Sequence, residues 1–320
     1  MPWRESEAEL ARARAEQTVV VHAPRGALFG VFTPPAPEVA ARGRCVVFFT
    51  RPRSHRNRMW IEGARRLASR GFACFRFDYH GTGDSSGASG FLNPNQPYRD
   101  DATAVLRHLR EHLGQGRFIL SGACFDARTA LSAFVDEGNA IDRLVFTAAP
   151  LMELDTLVKA DADRKDWAHL LRALRSPENW KALVHPRRWR YMATVTSRVA
   201  RRSAGGRDAR LPLAQSFLEH FEALCRSRAR ALFLYGEGDA EYPSFAVARE
   251  RLFPTLDPAV RARFEIEVHP GLVHDGYVEM TRQREVVERT LAWIEALPAD
   301  VSAPAIGPAR GKGEAAWTSA

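Results

Sequence analysis

A cysteine set where a strand turns straight into a helix is the most reactive group this sequence offers. In FILSGACFDARTAL, residues 118–131, apolar residues run up to Gly122, and Ala127, Ala130, Leu131 and Phe134 then recur at helical spacing. Cys124 stands at the turn between them. The pattern matches the strand-turn-helix elbow Gly-x-Ser-x-Gly, which raises a nucleophile above a sheet, with cysteine in place of serine. Such a turn calls for small residues two before and two after the nucleophile, so that strand and helix backbones can approach. Gly122 meets that requirement and Asp126 does not. A thiol here would be activated by the positive end of the helix and by a nearby imidazole. The bland alternative is a buried cysteine in an inactive elbow.

A base and an orienting acid are expected further along, each in a loop after a strand. LFLYGEGDAEY (232–242) puts Asp239 in a turn after an apolar run, and EVHPGLVHDGY (267–277) puts His274 after a later one. In this arrangement His274 takes the thiol proton, and Asp239 fixes the imidazole tautomer. Glu237 and Glu241 compete with Asp239, and His269 competes with His274. The oxyanion donors would be the backbone N–H of Phe125 and one from TRPRSHRNR (50–58). Pro52 has no N–H, which leaves Arg51 or Arg53 in that loop.

The elements that must hold these residues alternate. TVVVHAPRGALFGVFT (18–33) reads as a hairpin, CVVFFT as a strand buried on both faces, FACFRF as another buried strand, and RFILSGA and RLVFT as further strands, with amphipathic helices between them. That alternation predicts a mostly parallel sheet flanked by helices. It breaks at Pro150 and resumes at ARALFLYGEGD, so the expected layout is a core of residues 1–150 and 229–297, a helical cap over 151–228, and a disordered tail over 298–320. In the cap, Trp180 and Trp189 are candidates to roof an apolar substrate pocket, or else to pack the cap onto the core.

Composition narrows the class. The 320 residues are 45% hydrophobic, enough for a large core, and hold no unbroken apolar run of about 18 residues that would cross a membrane. Charges in the first 17 residues stand where an export signal needs an apolar stretch, so the expected address is the cytoplasm. The four cysteines are widely spaced, and no metal or organic cofactor is implied. A net charge of +8 comes from arginines spread along the chain, without a nucleic-acid-binding motif. Arg51, Arg53, Arg56 and Arg58 near the site, with Arg187, Arg188 and Arg190 in the cap, could instead meet an acidic substrate or an acidic acyl carrier protein. Arg53 is the candidate substrate contact.

Three motifs, FDYHGTGDSSG (77–87), GACFD (122–126) and GEGD followed by GLVHDGY, together resemble the α/β hydrolase superfamily from about residue 18 to residue 297. The elbow cysteine, the arginine-containing loop and SPENWKALVHPRRW (176–189) are similar to the hydrolases associated with exosortase systems and their biosynthetic-cluster relatives. Dienelactone hydrolases share the cysteine but are shorter. The resemblance implies an α/β hydrolase fold with a helical lid. The expected function is acyl transfer through a Cys124 thioester, on a small ester or thioester substrate, with water or another nucleophile as acceptor. Two other classes fit the same residues: a non-catalytic binding protein, and an isomerase or cyclase without a covalent intermediate.

Overall fold

The apolar runs pair into one sheet. The computed structural model describes residues 15–51, 53, 58–88, 93–156, 213–270 and 280–296. Eight strands, β1 (Gln17–Ala23), β2 (Gly26–Thr33), β3 (Cys45–Phe49), β4 (Ala73–Phe77), β5 (Phe118–Ala123), β6 (Ile141–Thr147), β7 (Arg230–Gly236) and β8 (Phe264–His269), lie in the order β1-β2-β4-β3-β5-β6-β7-β8. The β1–β2 hairpin turns at Pro24 and Arg25, and β2 joins β4 antiparallel; every later pairing is parallel. The fold is therefore the mostly parallel, helix-flanked sheet expected from the alternation, in keeping with the α/β hydrolase fold that the resemblance implies.

Continuous apolar strands are required because both faces are covered. On β3, Cys45, Val47 and Phe49 enter one core cluster while Val46 and Phe48 enter the other. Helices α1 (Met59–Ala68) and α6 (Met280–Glu295) cover the second face with Trp60, Leu67, Val287 and Leu291. The first face takes α2 (Arg99–Leu113), α3 (Asp126–Ser132), α4 (Gln215–Arg226) and α5 (Tyr242–Arg251). Helix α4 falls in the segment read as cap, yet Phe217, Phe221 and Leu224 are buried in the main core. The core thus resumes before residue 229, because an amphipathic helix without a strand beside it gives no local sign of what it packs on. The rest of the expected cap, 157–212, and the expected tail lie outside the described residues. No helix among the described residues is long and apolar enough to cross a membrane.

One carboxylate secures two buried arginines behind the sheet. Glu16 accepts from Arg76 Nη2 at 2.8 Å and from Arg65 Nε and Nη2 at 3.2 Å, and Arg76 on β4 is almost wholly buried. Burial pulls the Arg76 guanidinium below its ordinary value, and the Glu16 charge works against that shift. Removing one partner of a buried pair leaves a charge uncompensated. Glu16→Gln is expected to lower stability by about 2–4 kcal/mol, read as a shifted midpoint in urea unfolding; an unchanged midpoint would show that water or another acid compensates.

Candidate active site

The elbow forms because β5 lies between β3 and β6 and Cys124 stands just past the end of both ladders. The β3 ladder ends at Phe49 opposite Gly122, and the β6 ladder at Thr147 opposite Ala123. A Cβ on Gly122 would lie 2.4 Å from Ala127 Cα, a backbone clash, so glycine is what lets α3 start so close to the strand. Cys124 has φ +54°, a left-handed conformation that costs a non-glycine residue about 1–2 kcal/mol. Its N–H donates to the Thr147 carbonyl at 2.9 Å, which helps hold that conformation. The side chain is half-buried.

Asp126, the residue that looked too large for the turn, is buried and has a charged partner from across the site. Arg51 Nε lies 2.7 Å from Asp126 Oδ1, and the same guanidinium sits 5.9 Å from the Tyr79 ring centre. Burial pushes the Asp126 carboxyl up to about 6, with Arg51 opposing the shift through its charge and its hydrogen bond. In the folded protein the proton is therefore held to a higher pH than in the unfolded chain. The stability tied to that proton is full below about pH 4 and is lost as pH rises through about 6, so the ionised carboxylate costs about 3 kcal/mol at neutral pH. Asp126→Asn, which keeps the shape and cannot ionise, is expected to be at least as stable as the wild type at pH 7.5 and to lose the decline between pH 4 and 6.5. Parallel pH profiles of the two melting temperatures would refute this.

Two carboxylates stand in the loop after β7. Asp239 is wholly buried; its Oδ2 accepts the Gly236 N–H at 2.6 Å, and its own N–H and C=O bond to Gly236 and Tyr242. Glu241 is also buried and brings Oε1 to 3.9 Å from Cys124 Sγ. Of the sequence candidates, the structure thus brings Cys124 and Glu241 into contact. A histidine working between nucleophile and acid needs the acid beyond the ring, and Glu241 stands too near the thiol for that. His269 ends β8 with its ring toward Glu267, Nε2 to oxygen 3.7 Å, and its carbonyl accepts from Glu237. His274, Trp180 and Trp189 lie outside the described residues.

Comparison with known proteins agrees with the fold. The sequence matches the family described as "Serine aminopeptidase, S33" over residues 41–240. The chain belongs to that family. Among solved structures it is similar to an esterase of Pyrococcus furiosus (TM-score 0.57, 14% identity, covering 92% of this chain and 95% of that one). It is also similar to a proline iminopeptidase of Mycobacterium smegmatis (0.55, 17%, 87% and 99%) and to a Xanthomonas campestris α/β serine hydrolase described as without a lid (0.51, 16%, 88% and 97%). No curated protein sequence matches. Within a family named for serine, this member carries a thiol at the elbow, and Asp126 where the elbow motif has glycine.

The glycine-rich turn after β4 is structural here. In FDYHGTGDSSG the Asp78 carboxylate accepts the Arg53 N–H at 3.0 Å and pairs with the Arg53 guanidinium, which also reaches Asp84 Oδ2 at 2.9 Å. Ser85 Oγ donates to the Asp78 carbonyl and accepts the Phe29 N–H. Arg53 is thereby bound into the turn after β4, so the geometry gives no support to its reading as a substrate contact. Arg51 and Arg53, two of the four arginines read as a rim for an acidic partner, both pair inward. Sequence reasoning did not single out Arg128, which lies on α3, is almost wholly buried, and bonds to Asn95, Met152, Glu153 and Ser216. It ties the elbow helix to both chain ends that border residues 157–212. The signal was an arginine on the apolar face of α3.

Proposed function

We propose that this protein is an acyl-transfer enzyme, an ester or thioester hydrolase or an acyltransferase, working through an acyl-cysteine on Cys124 with His274 and Asp239. The observation that carries the reading is the left-handed backbone of Cys124 at φ +54° on the turn above β5. A strained nucleophilic residue persists where the surrounding structure holds it for use. In the acylation step His274 takes the thiol proton while Sγ bonds to the substrate carbonyl carbon. The tetrahedral oxyanion is met by the N–H groups of Phe125 and Arg51. Its collapse breaks the bond to the leaving group, which takes the proton from His274. Water or a second acceptor then loses a proton to His274 and attacks the thioester, releasing the acyl group and restoring Sγ–H.

Support for the general class comes from the family match and from the esterase and iminopeptidase likenesses. Brief exposure of the protein to a panel of acyl thioesters and activated esters, followed by intact-mass measurement, tests the reading. A mass increase equal to one acyl group, mapped to the Cys124 peptide, is the expected result. An enzyme that turns over an ester with no adduct at Cys124 under rapid quench would instead favour the non-covalent class.

A further inference from the structure

Asp126, which stands where the elbow motif has glycine, meets an arginine of the loop after β3. The β3–β5 ladder stops at Phe49 and Gly122, so beyond it no ladder bond of that pair holds the loop after β3 to the elbow. Across that gap Arg51 Nε meets Asp126 Oδ1 at 2.7 Å, with Asp126 buried and the Arg51 side chain only one-fifth exposed. Arg51 belongs to the loop segment, and Asp126 directly follows Phe125. The contact therefore joins the two backbone segments whose N–H groups serve as oxyanion donors in the function proposed above.

We infer that the Arg51–Asp126 ion pair is a positioning device that sets the separation of the Phe125 and Arg51 N–H groups. The inference rests on the acyl-cysteine reading. A buried ion pair is a poor source of stability, since removing two charges from water cancels most of their attraction. Here the Asp126 carboxyl is pushed up to about 6 even beside Arg51, so its charge is kept at a cost to the fold. What the pair supplies is geometry. A 2.7 Å ion pair between a buried carboxylate and a mostly buried guanidinium limits how far apart the two segments that carry them can stand, and oxyanion donors act only within a few tenths of an ångström of their proper positions. Arg51 and Asp126 are positioning residues through their side chains, and neither side chain needs to touch substrate.

The test separates thiol chemistry from oxyanion chemistry on the full-length protein. Alkylation of Cys124 by iodoacetamide forms no oxyanion, whereas acylation by a thioester does. Both rates are measured by intact mass for the wild type, Asp126→Asn, Arg51→Gln and the double variant, all of which keep both backbone N–H groups. In the single variants alkylation, taken as the pH-independent rate of the fully ionised thiolate so that the lost Arg51 or Asp126 charge does not count, is expected to stay within about threefold of the wild type, while acylation, also compared at full ionisation of the thiol, falls roughly 10- to 100-fold. The double variant is expected to lose no more than the worse single one, because the pair acts as a unit. Acylation at the wild-type rate in Asp126→Asn and Arg51→Gln, with the wild type itself acylated, overturns the inference alone. A parallel fall in alkylation and acylation also overturns it, by showing a general loss of the elbow. A wild type that alkylates but is never acylated overturns the acyl-cysteine reading, and this inference with it.

Discussion

Cys124→Ala is expected to abolish the acyl adduct and to lower turnover of any ester or thioester substrate by about 10⁴- to 10⁶-fold, the scale on which removal of a covalent nucleophile acts. The fold should survive the change. The thiol is half-buried at the top of the turn, outside both core clusters, and alanine tolerates the left-handed backbone about as well as cysteine does. The tether from its N–H to Thr147 is unaffected by the side chain. Circular dichroism and urea midpoints should therefore match the wild type, which makes lost turnover a statement about chemistry. Cys124→Ser should restore part of the activity through an oxygen ester, more slowly because a hydroxyl is far harder to ionise than a thiol. If Cys124→Ala keeps turnover within tenfold, the reaction does not pass through this residue.

Asp239→Asn is expected to reduce turnover by about 10³- to 10⁴-fold with little change in substrate binding. The carboxylate is held by its own turn, through the Gly236 N–H at 2.6 Å, and it is wholly buried, so its charge is poorly screened. Asparagine fits the same space, but it carries no charge to balance an imidazolium, and its amide can turn a donor where an acceptor is needed. The paired experiment is Glu241→Gln. Glu241 touches the thiol at 3.9 Å, too near for an imidazole to stand between them, so its loss should alter turnover by less than Asp239→Asn does. A reversed ranking, with Glu241→Gln crippling and Asp239→Asn mild, would transfer the orienting role to Glu241.

Much of the architecture was legible before any coordinates. Residues 45–49, 73–77, 118–123, 141–147 and 230–236 are strands where runs dominated by apolar residues stood, because a parallel strand covered on both faces has little room for alternation. The elbow was legible for a similar reason: Gly122 and Cys124 answer a local steric demand, the close approach of Ala127 to the strand end. Helix α5 carries Pro243 in its first turn, where a missing N–H costs nothing. The helix over 215–226 was legible as a helix and not as core, since its apolar face says what it buries and not against which partner.

Charges were the part that sequence could not resolve. Asp126 read as a defect in the turn, and the arginines of residues 51–58 as a greeting for an acidic partner. Tertiary structure makes the first two arginines internal counterions, Arg51 to Asp126 and Arg53 to Asp78 and Asp84. It likewise chose Glu241 over its loop neighbours as the carboxylate in contact with Cys124. The division has a physical origin. Hydrophobic periodicity and turn sterics depend on residues a few positions apart, so the chain by itself determined the mostly parallel, helix-flanked sheet and the place of the strand-turn-helix elbow that carries Cys124. Ion pairing depends on distances between side chains brought together by the order of strands in the sheet, and only the folded molecule decides those.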